Sequence, residues 1–353
     1  MTDPRFTIYL KDSFEWLKSL PDASVDLVVT DPPYSSLEKH RAKGTTTRLK
    51  VSEGSSNEWF GVIGNDRLLD LMRECYRVLR NDRHCYVFTD PETLFFLKPA
   101  AEAAGFEFRR IIVWDKVLIG MGYGYRRQTE FVLFLLKGRR QVVDRGTSDL
   151  LKCKRVSNGY PTEKPVELIE TFIRQSAKPG ELVIDPFLGS GSTGVAALRR
   201  GCQFAGCDIA PKSITTAMPR LVAADTAPRV LNLKYCGETP PGTVYVGRPS
   251  KWGNSVLLQS EGERADVLRQ YEKWLMAQPD LLQAARVELR GHDLACYCAP
   301  KPCHADLLLR IANEPEAEAE SEAEGKIDRR CDGPSHDCVC DGIGECAWCG
   351  RRE

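Results

Sequence analysis

Val25-Asp26-Leu27-Val28-Val29-Thr30-Asp31-Pro32-Pro33-Tyr34 is an apolar run that stops on a carboxylate, two prolines and an aromatic ring. Such a near-continuous run reads as a strand buried on both faces, as in the parallel sheet of an α/β protein. Each proline fixes its own φ, and Pro33 also pushes Pro32 into an extended conformation, so the tetrapeptide is rigid. Open α/β sheets bind ligands at the carboxyl ends of their strands, which makes Asp31, Pro32, Pro33 and Tyr34 candidate site residues. Taken alone, the tetrapeptide is matched equally well by a strand running into a Pro-rich turn.

A second strand end lies about 150 residues downstream, at Leu182-Val183-Ile184-Asp185-Pro186-Phe187-Leu188-Gly189-Ser190-Gly191-Ser192-Thr193-Gly194. It reads as a buried strand, a glycine-rich turn and a helix opening at Ser192 or Thr193. Gly189, Gly191 and Gly194 satisfy G-x-G-x-x-G, and Asp208 follows Gly189 by 19 residues at the end of the next apolar stretch. Spacing alone would also suit a dinucleotide site with Asp208 on ribose hydroxyls, so the glycines by themselves do not name the ligand.

The pair of motifs does. Asp185-Pro186-Phe187-Leu188-Gly189-Ser190-Gly191-Ser192-Thr193, with Asp31-Pro32-Pro33-Tyr34 upstream, resembles the S-adenosylmethionine-dependent amino-methyltransferases of DNA that act on adenine N6 or cytosine N4. More narrowly, it resembles their permuted group, in which the catalytic motif precedes the cofactor motif, common in bacterial and phage modification enzymes. The resemblance covers roughly residues 5 to 220 and includes Glu74-Cys75-Tyr76-Arg77-Val78-Leu79, Ile111-Ile112-Val113-Trp114 and Thr162-Glu163-Lys164-Pro165-Val166. Thr129 before Glu130 departs from it, since relatives often carry His there.

The resemblance implies that the Asp31 carboxylate and the Pro32 carbonyl accept the two N–H bonds of a target amine while Tyr34 stacks on its base. It implies a cofactor pocket built from Asp12, Lys164, Pro165, Asp185, Phe187, Gly189, Ser190, Gly191, Thr193 and Asp208. Asp12 reads equally as the N-cap of the helix near Phe14, and Pro165 as an ordinary helix-start residue. Aspartate in the catalytic motif favours adenine over cytosine in this family. A nicotinamide-dependent dehydrogenase is disfavoured, because residues after 208 do not supply a second mononucleotide-binding half. Protein glutamine methyltransferases use Asn before Pro-Pro-Tyr and place the cofactor motif first. The intact motifs argue against a nucleic-acid-binding protein without catalysis.

Alternating strands (6–10, 25–30, 84–89, 107–114, 130–136, 181–185, 203–207) and helices (13–20, 66–79, 92–104, 164–177, 192–200) predict a Rossmann-like, mainly parallel sheet flanked by helices. The expected division is a DNA methyltransferase domain at 1–225, a small α/β accessory domain at 228–312 with an amphipathic helix from Arg264 to Met276, an acidic linker at 313–330 and a Cys-rich tail at 331–353. The accessory stretch resembles a small domain of unknown function found in bacterial and phage proteins.

The 353-residue chain has zero formal net charge, but residues 314–324 hold six carboxylates and no base, which leaves a net +6 elsewhere. Two basic clusters, 35–50 and 137–155, are expected to flank the active edge and meet phosphates; the alternative is solvated surface. Lys39, Arg41, Lys43, Arg48, Arg139 and Arg140 are therefore candidate DNA contacts. Tyr123, Tyr125, Arg126 and Arg127 join them from a Gly-rich loop that could equally be structural. No stretch approaches the ~20 apolar residues of a bilayer span, and the N-terminus lacks a signal-peptide pattern, so a cytoplasmic protein is expected. The fourteen cysteines then read as free thiols or metal ligands. Cys338, Cys340, Cys346 and Cys349 could hold zinc in the tail, against a disordered tail as the alternative. Cys296, Cys298, Cys303 and His304 read as buried structural thiols with a neighbouring histidine.

Overall fold

The structure is a computed structural model that describes residues 5–34, 62–120, 125–157, 160, 162–236, 239, 242–256, 258–260, 263–299 and 301–314. Residues up to Asn313 form one compact unit. Within it lies an eight-stranded sheet of β1 (Phe6–Leu10), β2 (Val25–Thr30), β3 (Leu79–Thr89), β4 (Glu107–Asp115), β5 (Thr129–Lys137), β6 (Leu150–Lys152), β7 (Leu182–Asp185) and β8 (Gln203–Asp208). Their spatial order is β1-β8-β7-β2-β3-β5-β4-β6. All neighbours pair parallel except β5, which runs antiparallel to both β3 and β4.

The β2 run has no polar face because the sheet is covered on both sides. Leu27 and Val29 point into a core shared with Tyr86, Phe88, Val132 and Phe172, whereas Val25 and Val28 point into another with Trp16, Leu71, Cys85 and Leu133. Helices α1 (Ser13–Ser19), α2 (Leu68–Val78) and α3 (Leu94–Ala103) cover the second face; α4 (Val166–Ser176), α5 (Ser192–Arg199) and α6 (Pro211–Thr226) cover the first. This is the predicted three-layer α/β arrangement.

The chain leaves β2 toward β3 on one side and leaves β7 toward β8 on the other. The boundary between β2 and β7 is therefore the point where the winding reverses, and a crevice opens there at the strand carboxyl ends. Leu27 pairs with Val183 and Val28 with Ile184, which sets the two motifs side by side despite their separation in sequence.

Helix α6 has no counterpart in the sequence reading. Pro211 suits its first turn, but Pro219 inside it and several β-branched residues argue against a helix locally. Burial of Ala217, Leu221 and Ala224 against the sheet core overrides that preference. Beyond it, β9 (Val230–Asn232), β10 (Val244–Tyr245) and β11 (Leu294–Cys296) form a parallel three-stranded sheet in the order β10-β11-β9. Its core includes Val246, Trp252, Tyr271, Leu289 and Leu308, with helices α7 (Arg264–Met276), α8 (Pro279–Glu288) and α9 (His304–Asn313) packed around it. Among the described residues, no helix is long and apolar enough to cross a membrane.

Candidate active site

The strand ends of β2 and β7 are tied by one buried carboxylate. Asp185 accepts from the Thr30 hydroxyl on β2 at 2.8 Å, from the Thr193 hydroxyl on α5 at 2.8 Å and from the Phe187 amide at 3.0 Å. Burial pushes its carboxyl up to about 7, even though each of these hydrogen bonds favours the charged form. With its oxygens committed inward, Asp185 braces the crevice.

The turn that follows is built for close approach. Gly189 and Gly191 have φ of +49° and +79°, a region costly to residues with a side chain, and a Cβ on Gly191 would stand 2.8 Å from that of Ala217. Asp208 accepts from the Gly189 amide and the Ala210 amide, both at 2.9 Å, which fixes the turn from the end of β8. From α6, Arg220 donates to the Ser190 carbonyl at 2.7 Å and pairs with Glu163 at 2.7 Å. Ser190 and Thr193 are buried in the loop and helix start, and Pro165 occupies the N-cap of α4 without a side-chain cap. Asp12 caps α1 through the amides of Phe14 and Glu15 while also facing the cavity.

A cavity of about 560 Å³ opens over these strand ends, within the usual range for a small-molecule cleft. Asp12, Phe187, Gly189 and Asp208 line it, as do Asp31, Pro32, Pro33, Tyr34 and Lys164. Asp31 is ion-paired with Lys164 and accepts from the Tyr34 hydroxyl at 2.6 Å. Lys164 also lies 3.6 Å from Glu130, which pairs with Lys116 at 2.5 Å. Burial alone would lower the Lys164 pKa; Asp31 and Glu130 outweigh it and raise the ammonium above its usual range. Burial likewise works against the Glu130 carboxylate, and Lys164 with Lys116 nonetheless holds it below the usual range. The Tyr34 phenol is raised well above normal by burial and then by Asp31. The result is a carboxylate held at the cavity wall between a lysine and a phenol.

Several cavity residues escape motif reading. Arg67 lies 4.1 Å over the Phe14 ring, and the Tyr160 hydroxyl meets Ser213 at 2.9 Å. Lys116, Glu130 and Arg155 also line the cavity. Composition offered a signal for Arg155, in the 137–155 cluster, but none for Arg67. Tyr34 forms a parallel bridge with Ile63, whose amide donates to the Pro33 carbonyl at 2.8 Å. The chain on either side of residues 35–61 thus returns to the same point.

The second basic cluster requires correction. Because β5 is antiparallel, its carboxyl end lies at the edge opposite the cavity, where Arg83 pairs with Lys137. Arg140 there forms an ion pair with Glu181 at 3.2 Å, and its carbonyl meets His84. Arg139 is exposed beside Asp82, which accepts its amide. Arg139 and Arg140 therefore do not flank the active edge, whereas Arg155, after the parallel strand β6, does. Arg127 lines the cavity, and Tyr125 and Arg126 are exposed nearby in sequence. Lys39, Arg41, Lys43, Arg48, Tyr123, Cys338, Cys340, Cys346 and Cys349 lie outside the described residues.

A mainly parallel α/β sheet brings an Asp-Pro-Pro-Tyr strand end and a glycine turn to one cavity at its reversal point, the arrangement of a ligand-binding α/β enzyme. Residues 25–219 match the family described as DNA methylase, more than half of the chain, and the protein belongs to that family. Residues 231–314 match a domain of unknown function, DUF4326. The chain is 30% identical over 219 residues to YubD of Escherichia coli (strain K12), covering 61% of this chain and 90% of that protein. It is 26% identical over 257 residues to the DNA adenine methyltransferase YhdJ of the same organism, with 62% and 83% covered. The solved complex of M1.HpyAVI with SAM aligns at a TM-score of 0.47 and 22% identity, covering 61% of this chain and all of that one.

Proposed function

We propose that this DNA methyltransferase transfers the methyl group of S-adenosylmethionine to the exocyclic N6 amine of adenine. The observation that carries this reading is the placement of Asp31 beside the Gly189–Gly191 turn in one cavity, an amine-facing acceptor next to a cradle for a small molecule. Aspartate at position 31 supports adenine, as does the similarity to a protein named as an adenine methyltransferase.

The residues present suit the cofactor. Asp208 and Asp12 offer carboxylate acceptors for hydroxyls, Phe187 an apolar wall, and Gly189 a backbone that a ligand can approach without meeting a side chain. Ser190, Gly191 and Thr193 hold the turn, Asp185 braces it, and Pro165 caps the helix that begins just after Lys164. When bound, S-adenosylmethionine supplies a methyl group already activated by its sulfonium.

The target amine is a poor nucleophile, because its lone pair is delocalised into the ring. Asp31 and the Pro32 carbonyl accept its N–H bonds and draw the nitrogen toward tetrahedral geometry. Such preorganised, charge-assisted acceptors strengthen as the N–H groups become more acidic during transfer. Lys164 pairs with Asp31 and fixes its position, and Tyr34 offers a stacking face for a base that has left the duplex, recovering roughly 1–3 kcal/mol of the cost of flipping. Arg127 and Arg155 offer phosphate contacts. DNA as the substrate implies the cytosol.

The proposed division is a methyltransferase domain to residue 225, an accessory domain at 228–312, a linker at 313–330 and a tail at 331–353, with zinc in the tail suggested only by ligand spacing. Expression in a methylation-free host followed by mass spectrometry of the DNA nucleosides tests the function. N6-methyladenine is expected, and should vanish with Asp31→Ala. N4-methylcytosine instead would overturn the choice of base, and unmodified DNA the reading itself.

A further inference from the structure

The accessory domain contains a second cluster of chemically active side chains, distinct from the methylation cavity. Strand β11 ends at Cys296, Cys298 follows two residues later, and Cys303 immediately precedes α9, whose first residue is His304. The ligand atoms of Cys296, Cys303 and His304 all lie within 4.8 Å of one another, and all three residues are buried. The Cys296 and Cys298 sulfurs are 3.7 Å apart, and the Cys303 sulfur is 3.5 Å from Nδ1 of His304.

Those separations have a simple geometric meaning. Zinc–sulfur bonds of about 2.3 Å at tetrahedral angles place two sulfurs roughly 3.8 Å apart, and a zinc–nitrogen bond of about 2.0 Å places sulfur and nitrogen roughly 3.5 Å apart. A disulfide would need the sulfurs at about 2.05 Å. The imidazole is already in the tautomer a metal requires. Its Nε2 lies 2.8 Å from the Val246 carbonyl, which can only accept, so Nε2 carries the proton and the Nδ1 lone pair faces the sulfurs.

The loop is held in this form by groups that do not belong to the cluster. The buried Asn232 side chain donates to the carbonyls of Tyr297 and Ala299 on both sides of Cys298. Asp306 accepts the Cys303 amide at 2.8 Å. Arg264, on α7, donates to the Pro302 carbonyl at 3.2 Å and faces Cys298. Three thiolates and one imidazole around Zn²⁺ carry a net single negative charge, which that guanidinium would balance.

We infer that Cys296, Cys298, Cys303 and His304 form a structural zinc site, closed by four protein ligands, that joins β11, α9 and the Val246 segment of the accessory domain. This site is independent of the methylation reading and of the tail cysteines. It also gives a small domain a staple that its modest core would otherwise lack.

The test uses the full chain with Cys331, Cys338, Cys340, Cys346 and Cys349 all changed to Ser, so that the tail cannot contribute thiolates. After zinc loading and exhaustive dialysis, elemental analysis should find about one zinc per chain, and Cys298→Ser with Cys303→Ser should remove it. Because those variants could misfold, Co²⁺ replaces zinc in the otherwise unaltered site. The expected spectrum has intense tetrahedral d–d bands with sulfur-to-cobalt charge transfer, shifting toward an all-thiolate pattern in His304→Cys. Metal-free protein after loading, zinc that survives loss of Cys298 and Cys303, or a weak octahedral cobalt spectrum would each overturn the inference.

Discussion

Two Asp-Pro dipeptides end two adjacent strands of one sheet, and they do opposite things. Asp31-Pro32 closes β2, where Asp31 meets a lysine and a phenol in a cavity open to ligands. Asp185-Pro186 closes β7, where Asp185 is 4% exposed and meets two threonine hydroxyls and an amide. A lysine and a phenol at the cavity wall leave one carboxylate facing the open space, whereas hydroxyl donors in a dry setting turn the other into a brace. The role follows from the partners that the sheet order brings, since the local sequence is nearly the same.

The comparison breaks most visibly at Asp31. Asp31→Asn preserves volume but converts one acceptor into a donor, so methyl transfer should fall by about three decades or more with cofactor affinity nearly intact. Single-turnover transfer of labelled methyl and calorimetry read the two effects separately. Turnover within tenfold of the parent would remove Asp31 from the chemistry. At the other strand end, Asp185→Ala leaves Thr30, Thr193 and the Phe187 amide without their acceptor. Its expected cost is about 2–4 kcal/mol in denaturant unfolding. An Asp31 variant as destabilised as this one would abolish the distinction drawn between them.

Acidification sharpens the same contrast. Asp185 has a folded pKa of about 7, above its unfolded value, so the native state holds an extra proton between about pH 4 and 7 and gains stability as pH falls through that window. Burial lowers the pKa of His84 to about 4, below its unfolded value, so the native state loses stability as pH falls from about 6.5 to 4. The two slopes oppose each other. Asp185→Asn should expose the His84 slope, up to about 3 kcal/mol across that interval, and stability should drop more steeply than in the parent. A variant with an unchanged pH profile would mean that Asp185 is ionised in the native state throughout.

Smaller effects test the remaining walls. Asp208→Ala removes a charged acceptor and loosens the Gly189 turn, and S-adenosylmethionine affinity should fall by roughly one to two decades. Titration calorimetry is sufficient to measure it. Arg155→Ala should weaken DNA binding a few-fold and reduce its salt dependence, whereas Arg139→Ala should change neither. Equal losses from both would return the 137–155 cluster to a single DNA-facing surface.

What could be read from sequence follows a physical divide. Strands β2 and β7 and the glycine turn were legible because continuous apolar runs, paired prolines and closely spaced glycines are local signals. The direction of β5 was not, because a strand's burial pattern reads the same in both directions, and the positions of Arg139 and Arg140 depended on that direction. Helix α6 was hidden by Pro219 and is held by packing of Ala217 and Leu221. Arg220, Lys116 and Glu130 act through partners distant in sequence, so no spacing rule could mark them. The Cys296 to His304 segment was legible as buried, but the meeting of Cys296, Cys303 and His304, with Cys298 beside Cys296, depends on the turn held by Asn232.

Arg5, at the start of β1, pairs with Asp225 near the end of α6 at 2.7 Å. The sheet that carries the methylation cavity therefore begins and finishes at almost the same place, like a ring with a narrow gap. Closing that gap and cutting elsewhere would leave β2 beside β7 and Asp31 beside the glycine turn. Which motif is translated first is then an accident of where the gene opens the ring, and selection on the chemistry has no means to notice it.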